Sequence, residues 1–91
     1  MPINVEIPTT LRDYTGGKRS VQGVGANLAE LLADLDGRYP GIRGRLVAHD
    51  GKLRRFTNIY INDDNIRFQD ALGSSLADGD VVTIIPAVAG G

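Results

Sequence analysis

The chain has 91 residues, 42% of them hydrophobic and 23% charged, which is enough for one domain with one modest core. Its formal net charge of -1 gives no electrostatic case for nucleic acid or an anionic membrane as partner. It has no cysteine and one histidine, His49, which excludes a disulfide, a thiolate zinc site, a nucleophilic or persulfide-bearing thiol and a cluster of histidines. No apolar run approaches the length of a bilayer span, and Met1-Pro2-Ile3-Asn4 lacks the charged and apolar regions of a secretion signal. A cytoplasmic location is therefore expected.

Ile3, Val5 and Ile7 alternate with Asn4 and Glu6, the period of a half-buried strand that Pro8 ends. Thr15-Gly16-Gly17-Lys18 is a turn signal, and Ser20-Val21-Gln22-Gly23-Val24 reads as a second, weaker strand. The two make an N-terminal hairpin. Asn27 is a helix N-cap, with Glu30 placed for a capping box. Leu28, Leu31, Leu32 and Leu35 form the apolar stripe of the helix, and Asp36-Gly37 is read as its stop. Within the less regular stretch 39–55, Ile42 and Leu46 anchor a short helical turn and His49-Asp50-Gly51-Lys52 turns the chain.

Phe56-Thr57-Asn58-Ile59-Tyr60-Ile61 is the clearest central strand. Asn62-Asp63-Asp64-Asn65 turns, and Ile66-Arg67-Phe68 is read as a short strand. Leu72 and Leu76 flank a loop or single helical turn, and Asp78-Gly79-Asp80 turns into a last strand over 81–85. The order is β-β-α-β-β. A helix-containing crossover can join the first and last strands as a parallel centre. The fold class is thus α+β, a β-grasp or ubiquitin-like mixed sheet with one main helix on one face. The expected division is a β-grasp domain over 1–86 and a flexible Gly-Gly tail over 87–91.

The tail is the unusual feature. An Asp-Gly-Asp turn leads into an apolar strand, then Pro86, then Ala87-Val88-Ala89-Gly90-Gly91. A frayed end would explain two glycines but not the whole ending. Pro86 has no N–H to give a sheet, so it helps release the tail from sheet pairing. Residues 87–91 can extend roughly 15–18 Å at about 3.3–3.6 Å per residue. Gly90 and Gly91, without Cβ, can approach a partner's surface closely.

The other candidates have plainer explanations. Asp63, Asp64, Asp78 and Asp80 suit turns better than a metal site, and His49 is read as an exposed turn residue. The chain has no GxxxxGK[ST] phosphate loop, and Gly23-Val24-Gly25 is read as a loop rather than a dinucleotide fingerprint. Arg54 and Arg55 either pair with acidic groups on a partner or are simply solvated. If Ile59 and Ile61 face the helix, Phe56 and Tyr60 lie on the open face as a docking patch.

The ending from Leu76 to Gly91 resembles the ThiS/MoaD sulfur-carrier family, which includes the thiamin sulfur carrier and the small subunit of molybdopterin synthase. Tyr60-Ile61-Asn62-Asp63-Asp64 with Ile66-Arg67, the capped leucine helix and Ile7-Pro8-Thr9 agree with it. Leu11-Arg12, Thr15-Gly16-Gly17, Gly51-Lys52-Leu53, Arg55-Phe56, Asn58-Ile59-Tyr60 and the Pro86-Ala87-Val88-Ala89-Gly90-Gly91 end fit the CysO-type branch, which delivers sulfur for cysteine synthesis. Molybdopterin-synthase subunits often carry Pro-Pro and Ser before Gly-Gly, and thiamin carriers lack most of 39–55. Both differences argue against those branches.

The resemblance implies a protein cosubstrate rather than an enzyme, with no catalytic residue, no metal and no bound cofactor of its own. A ubiquitin-activating-like adenylyltransferase/sulfurtransferase would use ATP to adenylate Gly91 and leave a C-terminal thiocarboxylate, a 1-thioglycine. Ala87, Val88, Ala89 and Gly90 would thread the partner's site. The acceptor would be a pyridoxal-phosphate-dependent cysteine synthase, and a zinc metallopeptidase would release the cysteine. The alternatives are a molybdopterin-synthase subunit or thiamin carrier, a ubiquitin-like protein modifier, and a non-conjugating binding module.

Overall fold

The computed structural model describes residues 2–54, 57–66 and 71–86. Its core is a five-stranded sheet in the order β2-β1-β5-β3-β4. The strands are β1 (Ile3–Glu6), β2 (Ser20–Gly23), β3 (Thr57–Ile61), β4 (Asp64–Asn65) and β5 (Val81–Pro86). β1 pairs antiparallel with β2 and parallel with β5, with Val5 opposite Val82. β3 pairs antiparallel with β5, with Ile59 opposite Ile84 and Thr57 opposite Pro86. The hairpin and the parallel centre are those expected from the sequence.

Helix α1 (Leu28–Arg38) buries its leucine stripe completely, together with Ile3, Val5, Ile59, Val82 and Ile84. Those strand residues alternate with polar or half-exposed ones, so among the described residues only one face of the sheet is covered. The Asn27 side chain accepts from the Glu30 N–H at 2.9 Å, as an N-cap should. The Glu30 carboxylate reaches one residue further back than a standard capping box and accepts from the Ala26 N–H at 3.0 Å.

Three details differ from the sequence reading. First, α1 does not stop at Asp36-Gly37 but runs through Gly37 to Arg38. Its end is set by Pro40, which disfavours helical geometry at Tyr39, where φ is -132° and ψ is 79°. The Asp36 carboxylate instead accepts from the Gly41 and Arg43 N–H groups and seats the next helix, α2 (Ile42–Leu46). Second, β4 is Asp64–Asn65, within the stretch read as a turn; Ile66 is fully buried and follows the ladder, and Arg67 and Phe68 of the expected strand lie outside the described residues. The turn into β4 needs only Asn62 and Asp63, because Asn62 takes the left-handed conformation at φ 57°. Third, residues 9–15 form a 3-10 helix, which turn chemistry alone did not reveal.

The turn preceding β5 is braced. Asp80 accepts from the Ala77 N–H at 2.9 Å and from the Asn62 side chain at 3.3 Å. Asn62 also accepts from the Val81 N–H at 3.1 Å. Asp80 is occupied by turn chemistry, and no group of three or more His, Asp or Glu that could hold a metal occurs among the described residues.

Candidate functional site

The strand that leads to the tail is central, but not along its whole length. β1 accompanies β5 only from Val81 to Thr83. Among the described residues, the last three of β5 are paired on one side alone, with Thr57, Asn58 and Ile59 of β3. Pro86 is thus itself a paired residue, opposite Thr57, and its missing N–H costs no bond on the side that β1 has already left. Among the described residues, the end of β5 thus forms a corner of the sheet.

The open face beside that corner carries Tyr60, Thr83 and Ile85. The register explains this. Thr57, Ile59 and Ile61 are buried, so Asn58 and Tyr60 point the other way, half-buried. In β5, Val82 and Ile84 are buried while Ile85 is 47% exposed. Tyr60 pairs with Thr83 across the strands, and a shallow groove runs over Tyr60, Asn62, Asp63, Thr83 and Ile85. The isoleucine-inward register is the one under which an aromatic docking patch was expected. Tyr60 lies on the open face; its sequence companion Phe56 lies outside the described residues.

Of the other expected site residues, Arg54 is exposed, and its Nε donates to the Gly44 carbonyl at 2.9 Å. His49 is exposed at the turn, where Gly51 takes φ 81° and the Lys52 N–H donates to Asp50. Arg55, Ala87, Val88, Ala89, Gly90 and Gly91 lie outside the described residues. Sequence reasoning missed Thr83 and Ile85. The available signal was the alternation of Val82 and Ile84 against them, which a run of apolar residues hides.

No helix among the described residues is long and apolar enough to cross a membrane.

The sequence pattern of the ThiS family matches residues 5–91, a span that includes the Gly-Gly end. The chain is 50% identical to the sulfur carrier protein CysO of Mycobacterium tuberculosis, over 100% of both chains. It is 31% identical to small archaeal modifier protein 3 of Haloferax volcanii, again over 100% of both. A chain of the Amycolatopsis orientalis BexX/CysO complex superposes with a TM-score of 0.92 at 48% identity, covering 98% of this chain and 99% of that one.

Proposed function

The chain belongs to the ThiS family, and from that premise we propose that it is a sulfur carrier for cysteine biosynthesis, a protein cosubstrate acted on by other enzymes. The observation that carries this reading is full-length identity of 50% to a CysO sulfur carrier, together with a Gly90-Gly91 end joined to the central strand.

A carboxylate is a poor acyl donor. In this reading an adenylyltransferase of the ubiquitin-activating kind binds the carrier body and threads 87–91 into its site. The Gly91 carboxylate attacks the α-phosphorus of ATP, and pyrophosphate leaves. A sulfide equivalent then adds to the acyl-adenylate, AMP departs, and a thiocarboxylate remains on Gly91. That sulfur is nucleophilic and would attack an electrophile held by a pyridoxal-phosphate-dependent cysteine synthase. The product is a thioester, whose Gly91 acyl group would shift from sulfur to the amine of the new cysteine and free the thiol; a metallopeptidase would then hydrolyse that amide, release cysteine and restore the Gly91 carboxylate. The body supplies presentation: five slim residues joined directly to the end of β5 can enter a narrow channel while the sheet stays outside.

Intact-mass spectrometry tests the reading. With ATP, sulfide and the adenylyltransferase, the chain should gain the difference between one sulfur and one oxygen, and deletion of Gly91 should abolish the gain. An unchanged mass, with an enzyme that converts an established carrier, would refute it. The likeness to small archaeal modifier protein 3 favours a second reading, in which a lysine captures the same acyl-adenylate. Isopeptide-linked Gly91 on other proteins would support that alternative.

A further inference from the structure

Charge is unevenly divided along the chain. Residues 38–55 carry Arg38, Arg43, Arg45, Lys52, Arg54 and Arg55 against one carboxylate, Asp50, a net of +5. The rest carries four cations against ten carboxylates, a net of -6. The overall charge of -1 conceals this division.

The fold gives the basic segment a fixed shape. Ile42, Leu46 and Val47 are buried and tie it to the core. Arg43, Arg45, His49, Lys52 and Arg54 are exposed. Arg43, Gly44, Val47, Ala48, His49 and Arg54 line a concavity of about 430 Å³. The bond from Arg54 to the Gly44 carbonyl holds one guanidinium across it. Among the described residues, no carboxylate lies within ion-pair distance of Arg43 or Arg45.

The concavity also lies close to the tail's exit. The Arg54 carbonyl accepts from the Thr57 N–H at 3.1 Å, and Thr57 is the residue paired with Pro86. The basic segment therefore runs into the corner from which the tail leaves. A folded protein that takes in the whole of residues 87–91, which reach only roughly 15–18 Å, comes up to that corner.

We infer that the concavity of Arg43, His49 and Arg54 is an interaction surface for an acidic patch on the adenylyltransferase, beside the mouth of its tail channel. This rests on the reading that Gly91 is offered to such an enzyme. Guanidinium groups pair with carboxylates in two-pronged geometry. Opposed charge patches speed encounter and set orientation. A long polyanion such as nucleic acid fits less well, because ten carboxylates occupy the rest of the chain.

The test uses the full chain and the adenylyltransferase of the same organism, following pyrophosphate release. Arg43→Glu should raise the KM for the carrier about tenfold at low salt, with kcat at saturation nearly unchanged. The difference should shrink as added salt screens the pair. Ala29→Glu with Ala33→Glu changes the net charge equally on exposed positions of α1 and should leave KM within about twofold. Arg43→Gln, a milder change, should fall between wild type and Arg43→Glu. Equal KM for Arg43→Glu and wild type would overturn the inference while leaving the sulfur-carrier reading intact. So would a wild-type KM that salt does not move.

Hexaglutamate peptide, titrated against the wild-type chain by NMR, separates the two failures. Shifts confined to the amides of 43–54 support an acid-binding surface even if no adenylation occurs, in which case the tail reading alone has failed. No shift there overturns the surface. Tight binding of a labelled single-stranded oligonucleotide, lost in Arg43→Glu while KM stays put, would reassign the surface to nucleic acid.

Discussion

The two faces of the sheet are made by the same strands yet answer to different demands. On the covered face, Val5, Val82 and Ile59 are entirely buried beneath the leucines of α1. On the open face, Glu6 and Gln22 are solvated, Tyr60 and Thr83 are half-buried, and Ile85 is 47% exposed. Burial dictates the first set, since each apolar side chain removed from water contributes roughly 1.5–3 kcal/mol. Nothing in the fold requires an aromatic at 60 or an isoleucine at 85. An apolar cluster retained where folding does not demand it, beside the tail's exit, is where contact with other proteins would concentrate.

Three substitutions break or sharpen this contrast. Leu31→Ala on the covered face should cost about 2–5 kcal/mol, through lost transfer energy and the cavity left behind. Urea unfolding followed by circular dichroism would show it as a large fall in midpoint, and a small fall would mean that the helix does not depend on its stripe. Gly25→Ala tests how tightly α1 is seated. A Cβ there would lie 2.5 Å from the Leu31 nitrogen and 3.0 Å from the Glu30 carbonyl carbon. The helix backbone must move, at roughly 1–3 kcal/mol, and thermal melts should record an intermediate loss. Tyr60→Ser should have the smallest effect on stability, below about 1 kcal/mol, from its cross-strand pairing with Thr83. The same change should weaken adenylation by about threefold or more if the open face docks a partner. A Tyr60→Ser chain that unfolds as readily as Leu31→Ala would abolish the distinction between the faces.

Legibility followed the strength of the local signal. α1 was readable because Asn27, Glu30 and four leucines all say helix, and the capping bond to the Glu30 N–H is present. Its end was misplaced because Gly37 tolerates helix as well as turn, while Pro40 and the reach of Asp36 to Arg43 act across several residues. β4 was misread because Ile66 looks like a strand residue. The pairing is fixed one step earlier, by the left-handed Asn62 and its bonds to Asp80 and Val81. Period two set Tyr60 on the face opposite Ile59 and Ile61 but left open which set faced the helix, and the matching role of Ile85 was lost in the continuous run Val81-Val82-Thr83-Ile84-Ile85. The basic concavity could not be read from spacing, since a bend through α2 and the turn at Gly51 brings Arg43, His49 and Arg54 to one hollow.

The pairing of β5 also governs how the molecule bears mechanical load. Tension applied through the residues after Pro86 travels along a strand bonded to β3 over Val82–Pro86 and, deeper in, to β1 over Val81–Thr83. Those bonds lie across the line of pull, so they are strained together, in shear, rather than opened one after another like a zipper at a sheet edge. Strain shared among several bonds at once keeps such a strand seated when its end is drawn on, so the body serves as the anchor of its own last strand.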